Sequence, residues 1–490
     1  MNRISGIIIR FVCFCFILAG LFTASDAVEA QGGFSTADGY RGIWYGNQPS
    51  GDVYRYKYSG GLGTYTAKHI PLAIYAPKAE KTFFCYGGRP KEENTLIIMV
   101  SYYDHRTGTV PRPTIIMDKG TSDAHDNPTI SIDSDGYIWL FVSAHGTARP
   151  SFIYKSKTPY DISDFTLIKE TNFSYPQPWY IPGKGFIFLH TLYRDGRILH
   201  WSTSPDGVEW SDPHVLSQIA QGHYQISAVH DGTISTAFNY HPDTLHESRR
   251  RLEADSKSDG RLNGLNYRTN LYYLTSDNFG ETWTTVSGQA VHTPLTAVIN
   301  DALVYECESA GKLVYMKDLN FDREGRPVIL FIESSGYEAG PENGPRIWTT
   351  AHWNGKTWDI RPGPESDNNY DMGSIFVDAD GSWRIIGPTE QGPQAYNPGG
   401  EIAEWISDDA GASWRLSRVL TANSPYNHTY VRRPVNARPD FAAFWADGHG
   451  REESPSRLYF YNAVEKQVYR LPWTMSGDSA RPEPVNVNGE

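Results

Sequence analysis

The chain has 490 residues, 39% of them hydrophobic, 20% charged and 13% aromatic, with a formal net charge of −12. Its 14 Trp, 31 Tyr and 21 Phe exclude a disordered chain, and the acidic balance argues against a nucleic-acid binder with a basic surface. Net charge averages over the whole surface, so a local cluster of Arg that holds an anion stays compatible with it.

In chain order, Arg3 and Arg10 precede an apolar stretch from Phe11 to Phe22, and small residues follow at Ala24, Ala27 and Ala30. That order reads as a secretory signal over residues 1–30, which predicts a secreted or periplasmic protein. Beyond it no apolar run is long enough to span a membrane. Cys13 and Cys15 would leave with the signal, so the mature chain keeps Cys85 and Cys307. Two cysteines make no disulfide framework, and their contexts predict two buried thiols on separate elements.

One unit then recurs: an apolar strand, a short polar turn with Asp or Gly, and a second strand rich in Phe, Ile and aromatics. It is found at Ile70–Gly88, Asn127–His145, Tyr175–Tyr193, Tyr224–Tyr240, Val314–Glu333, Gly373–Glu390 and Tyr430–Trp445. Two more strand-like runs follow each copy, so the pattern predicts an all-β, seven-bladed propeller with four antiparallel strands per blade. It would form one domain over residues 31–475, with a tail at 476–490. Four turns share a second pattern: Ser407-x-Asp409-x-Gly411-x-Ser413-Trp414, Ser276-x-Asn278-x-Gly280-x-Thr282-Trp283, a shortened copy at Ser204–Trp210 and a degenerate one at Asn354–Trp358. The Asp or Asn caps the turn, Gly takes the positive φ and Trp packs between sheets. These turns resemble the structural Asp-box of sialidase-like propellers.

In such a fold the start of each first strand and the end of each second strand open on one face. Those positions carry His69, His125, His145, Tyr175, Tyr193, Arg194, His223, Tyr224, Tyr240, His241 and His428, while third strands start at Arg149, Arg268 and Arg346. His125 and His145 open and close the first hairpin of one blade, so both imidazoles should point into one mouth. Paired imidazoles with neighbouring Tyr and Arg supply a base, an acid and a charge neutraliser near neutral pH. Arg268 suits a bidentate carboxylate clamp. Arg249-Arg250-Arg251 reads as a solvated charge run rather than a lid. There is no Cys/His spacing for zinc, no phosphate loop and no nucleophile elbow. Loop histidines and carboxylates leave room for a structural zinc or calcium ion.

Tyr40-Arg-Gly-Ile-Trp-Tyr, Tyr58-Ser-Gly-Gly-Leu-Gly-Thr, Asp123-Ala-His-Asp-Asn-Pro, Gly222-His-Tyr-Gln and Tyr267-Arg-Thr-Asn-Leu-Tyr-Tyr resemble the BNR-4 repeat family. That family contains seven-bladed polysaccharide lyases acting on ulvan (families 24 and 25) and enzymes that remove rhamnose from glucuronate. The resemblance implies paired His, a Tyr and an Arg on one propeller face. The His pair maps onto His125 and His145. For the Tyr and Arg, both Tyr175 with Arg194 and Tyr224 and Tyr240 with Arg268 stay open.

The reading chosen is catalysis by His125, His145, Tyr240 and Arg268, with substrate bound by Arg149, Tyr175, Arg194, His223, Tyr224 and His241. The reaction would be β-elimination at a uronic acid of an ulvan-type polysaccharide by a monomer that needs no cofactor and engages neither nucleic acid nor membrane. Elimination is preferred to hydrolysis because no close carboxylate pair stands out on that face. A rhamnose-releasing hydrolase and a non-catalytic sugar-binding propeller are the alternatives.

Overall fold

The seven apolar repeats form strands because each alternates between two covered faces and ends in a turn that satisfies its own backbone. In the copy at Asn127–His145, Pro128–Ile132 pairs antiparallel with Ile138–Val142, and every residue of the second strand is buried. The Asp133 carboxylate accepts the backbone N–H groups of Asp135 and Tyr137, and Gly136 takes φ 89°. In a computed structural model of the chain, which describes residues 34–243 and 266–485, all seven repeats are the inner hairpins of four-stranded blades. The expected signal segment, the Arg249–Arg251 run and residues 486–490 lie outside the described residues.

Blade I is Ala73–Ala76, Lys81–Gly88, Ile97–Asp104 and Thr114–Asp118; blade II is Pro128–Ile132, Ile138–Val142, Ser151–Ser156 and Phe165–Thr171. Blade III is Ser174–Ile181, Gly185–Arg194, Gly196–Ser204 and His214–Ser217. Blade IV is Gln225–His230, Thr233–Tyr240, Thr269–Ser276 and Trp283–Thr284, with Ala290–Val291 beyond its edge and Leu303–Tyr305 paired to its third strand. Blades V and VI begin at Leu313–Phe321 and Ser374–Val377. Blade VII runs from Asn427–Arg432 to Gln467–Arg470 and gains Glu483–Val485 as a fifth strand. The core lies within and between the sheets, where Trp139, Trp283, Trp348, Trp383 and Trp445 are fully buried. Cys85 and Cys307 are both free and buried, as their contexts suggested.

The Asp-box turns are structural. In the Ser407 copy, Gly411 N–H donates to Ser407 Oγ at 2.8 Å and Ser413 N–H to Asp409 Oδ1 at 2.8 Å. A Cβ on Gly207 would lie 2.5 Å from the Trp139 ring of the preceding blade, so this glycine lets neighbouring blades touch.

Both ends of the described chain close the ring. Val435 exchanges backbone hydrogen bonds with Ala73 and Tyr75, joining blade VII to blade I. Tyr40 N–H donates to Pro472 O, while its hydroxyl reaches Ser101 Oγ and Pro111 O, each at 2.6 Å. Ser479–Ala480 pairs with Val110–Pro111 of blade I. Residues 476–485 therefore hold two blades together. A further hairpin, Trp44–Pro49 with Tyr56–Gly61, lies against blade VII so closely that a Cβ on Gly61 would fall 1.6 Å from the Asp447 carbonyl oxygen. That hairpin carries Tyr58.

Candidate active site

Antiparallel strands alternate direction, so first-strand starts, second-strand ends and third-strand starts share one face. Three first strands carry register shifts, between Ser174 and Gln177, between Met316 and Asp318 and between Thr429 and Arg432. Within them Tyr175 and Tyr430 adopt φ 54° and 53°. A bulky residue at positive φ is strained, and a bulge redirects the side chain it carries.

The blade II side is built on one carboxylate. Asp123 caps a single 3-10 turn, Ala124–Asp126, by accepting the His125 N–H at 3.0 Å. Its Oδ1 also accepts from His125 Nδ1 at 2.5 Å, and its Oδ2 from His145 Nδ1 at 2.8 Å and Arg149 Nη2 at 3.2 Å. Burial alone would raise the Asp123 carboxyl, but the two imidazoles hold it well below the usual carboxylate range. An ionised Asp123 fixes both histidines with the proton on Nδ1, which leaves Nε2 as the basic nitrogen of each. The two rings stack with centroids 3.8 Å apart.

The two imidazoles differ in access. His125 is buried, its Nε2 lies 2.8 Å from the hydroxyls of both Tyr58 and Tyr65, and burial pushes its pKa down to about 4 despite Asp123. His145 is 32% exposed, and its Nε2 has no hydrogen bond among the described residues. Arg149 also binds Asp126, through Nε at 2.7 Å and Nη2 at 2.8 Å, and Lys119 Nζ lies 3.3 Å from the same fully buried carboxylate. Every charge here meets its opposite.

The side formed by blades III to V is built on cations and phenols. Arg197 Nε donates to the Tyr193 hydroxyl at 3.1 Å, and its guanidinium lies 4.9 Å from the Tyr224 ring. The Arg268 guanidinium lies 4.5 Å from the same Tyr224 ring, 4.4 Å from that of Tyr315 and 5.2 Å from that of Tyr370. Tyr175 joins the group, its hydroxyl 3.0 Å from that of Tyr193 and 3.4 Å from that of Tyr224. Burial would raise the Tyr224 phenol, but Arg197 and Arg268 outweigh it and draw its pKa below the ordinary value. Arg197 Nη1 and Arg268 Nε are buried without hydrogen-bond partners, and neither arginine has an ion pair among the described residues. Two more cations adjoin them, Lys57 half-buried and Lys317 buried. Burial and the neighbouring arginines push Lys57 well down, and burial takes Lys317 to about 7, partly opposed by Asp371.

The two sides meet at Tyr175 and Tyr193, whose rings lie 6.3 Å from those of His125 and His145 respectively. Of the residues expected from sequence, His125, His145, Tyr175, Tyr224 and Arg268 come together here. Arg149 supports the pair through Asp123 and Asp126, and His241 packs edge-on against Tyr224 at 5.0 Å. Three do not join the cluster. The Tyr240 hydroxyl is taken by Glu308, so Tyr224 and Tyr193 hold the places expected for it. His223 is fully buried, with Nε2 on Ser217 Oγ and the Ile219 N–H and Nδ1 on the Asn239 carbonyl. Arg194 is exposed, and the arginine beside Tyr193 is Arg197, across the turn. Arg197 begins the third strand of blade III, the position that singled out Arg149, Arg268 and Arg346. Tyr58, Tyr65 and Lys57 lie on the added hairpin or just after it, outside the repeat, where the blade pattern gives no signal.

Asp123, His125 and His145 also form a group whose ligand-type atoms lie within 4.8 Å of one another. Both Nδ1 atoms are committed to Asp123, and the Arg149 guanidinium occupies the same carboxylate. These residues fit a hydrogen-bonded charge relay and do not fit a cation site.

A family model described as BNR repeat-containing family member matches residues 91–366. The ulvan lyase of Nonlabens ulvanivorans is 23% identical over 349 residues, 65% of this chain and 69% of its own length. An ulvan lyase of Alteromonas sp. (strain LOR) is 24% identical over 433 residues, 80% of this chain and 82% of its own. The solved structure of a PL25 ulvan lyase bound to -[GlcA(1-4)Rha3S]- superposes with a TM-score of 0.65 at 18% identity, covering 88% of this chain and 96% of that one, and shares the fold. With more than half its length matched by the family model, the chain belongs to the BNR repeat-containing family.

Proposed function

We propose that this protein is a polysaccharide lyase that cleaves an ulvan-type chain at a uronic acid by β-elimination. The observation that carries the reading is the pair Arg197 and Arg268, half-buried against the Tyr224 ring with unpartnered buried N–H groups, Arg197 also bonded to Tyr193 at the His145–Tyr193 gap. A uronate carboxylate there supplies the missing anion, and its neutralisation makes the C5 proton more acidic. His145 Nε2 takes that proton, the C5–H electron pair becomes the C4=C5 double bond, and the C4–O4 bond breaks. The Tyr193 hydroxyl protonates the leaving O4, and Arg197 stabilises the phenolate that results. Asp123 stabilises the His145 imidazolium, and proton return from His145 to Tyr193 resets the site. His125, neutral and clasped by Tyr58 and Tyr65, holds Asp123 and the stacked ring of His145 in place.

Hydrolysis would need an acid and a base from two carboxyl groups. Asp123 and Asp126 are both committed to imidazole or guanidinium partners, which favours elimination. The relatives named ulvan lyase support ulvan as the polymer. The charged, apolar, small-residue order at the N-terminus supports export, and we read the exported enzyme as a monomer. Incubation with ulvan should produce the ultraviolet absorbance of an unsaturated uronate as reducing ends appear. Reducing ends or free rhamnose without that chromophore would overturn the lyase reading.

A further inference from the structure

The cleft does not end at Tyr193. From Tyr193 and Arg194 a groove of about 540 Å³ runs outward between blades II and III, a volume in the range of carbohydrate-sized sites. One wall comes from the outermost strand of blade II, with Lys169, and the other from blade III, with Phe188 and Trp210. Lys169 and Arg194 are exposed, and neither has an ion pair among the described residues. Asp212 is the acidic residue of the lining.

In the groove of blades II and III, exposed cations without carboxylate partners among the described residues and direct continuity with Tyr193 coincide.

We infer that this groove binds the sugar units next to the cleaved bond of an anionic polysaccharide, with Lys169 and Arg194 holding sulfate or carboxylate groups. The inference rests on the lyase reading for its substrate. The groove sets the preference for long chains, and the arginine–histidine cluster does the chemistry.

The test is Lys169→Glu with Arg194→Glu, singly and together, measured on ulvan polymer and on the shortest ulvan oligosaccharide the wild type cleaves. The double variant should raise the ratio of polymer KM to oligosaccharide KM at least fivefold, each single variant contributing part. An equal change on both substrates, or none on either, overturns the inference. Retardation in a native gel cast with ulvan tests the groove separately from turnover: the double variant should run ahead of wild type, and equal mobility sinks the groove whether or not the protein is a lyase. Repeating the gel with desulfated ulvan separates the two anionic groups, because the mobility gap closes if sulfate is the group held and persists if the uronate is.

Discussion

The two halves of the mouth bury charge in opposite ways. On blade II, two carboxylates face His125, His145, Arg149 and Lys119, and each charge has a partner at hydrogen-bond or ion-pair distance. On blades III to V, Arg197 and Arg268 lie against phenols and pair with no carboxylate among the described residues, and each keeps an unpartnered N–H group. A buried ion pair left incomplete costs several kcal/mol, so a fold keeps it only where something else repays the cost. The compensated half is a finished proton-handling device. The uncompensated half is finished by its substrate.

The largest expected effect comes from removing the exposed imidazole. His145→Gln keeps a hydrogen-bonding side chain beside Asp123 but removes the basic Nε2, and kcat on ulvan should fall about 10³–10⁴-fold, toward the upper end for a positioned base. Circular dichroism and thermal melting should show the fold retained. A variant that keeps a tenth of wild-type kcat would move the base to another residue.

Next is Arg268→Met, which removes one uncompensated cation. Loss of one preorganised charge aimed at the reacting group costs about 10²–10³-fold in turnover. Stability should change by no more than about 1 kcal/mol, because lost cation–π contacts with Tyr224, Tyr315 and Tyr370 are offset by the relief of a buried charge. A deep loss of melting temperature would make Arg268 a strut between blades.

How much of this could be read beforehand depends on how local each signal is. The blades were legible because each inner hairpin carries its own apolar alternation and its own turn. The histidine pair was legible because Asp123-Ala-His-Asp and the His145 segment bracket one such hairpin. Tyr240 lies outside the cluster for a non-local reason: a register shift between Phe238 and Tyr240 alters its setting, and its hydroxyl partner, Glu308, lies 68 residues away. Arg197 and Arg194 flank a tight turn, and only the pairing of Tyr193 with Arg197 across that turn decides which guanidinium returns to the mouth. Tyr58 and Tyr65 reach His125 because ring closure brings the N-terminal hairpin onto blade VII, a contact that no blade-length pattern encodes.

Arg149→Met tests the compensated half directly. It strips both Asp123 and Asp126 of a guanidinium, and breaking a buried pair from one side costs about 3–5 kcal/mol. Lys119 remains beside Asp126 and the imidazoles beside Asp123, so the expected loss is at the low end, about 3 kcal/mol, read from urea denaturation. The contrast with Arg268→Met is the point of the pair of variants. Equal stabilities would mean that the two halves do not differ in the way their contacts indicate.

The smallest effect of a single substitution is on a slope against pH, and that slope belongs to the buried histidines. Burial lowers His125 and His223 to about 4 and His190 to about 3, against 6.5 for an exposed imidazole. Between those values the unfolded chain binds protons that the folded chain refuses, so the stability they contribute is present above about pH 6.5 and lost as pH falls toward 4. Asp123, held far below the usual carboxylate range, adds a further loss below about pH 4. Each histidine contributes at most about 1.4 kcal/mol per pH unit. Melting temperature should therefore fall steadily from pH 6.5 to pH 4, and His125→Gln should make that fall shallower. A slope unchanged in the variant would mean that His125 is already protonated in the fold, with Asp123 outweighing burial, and the neutral state assigned to His125 would then be wrong.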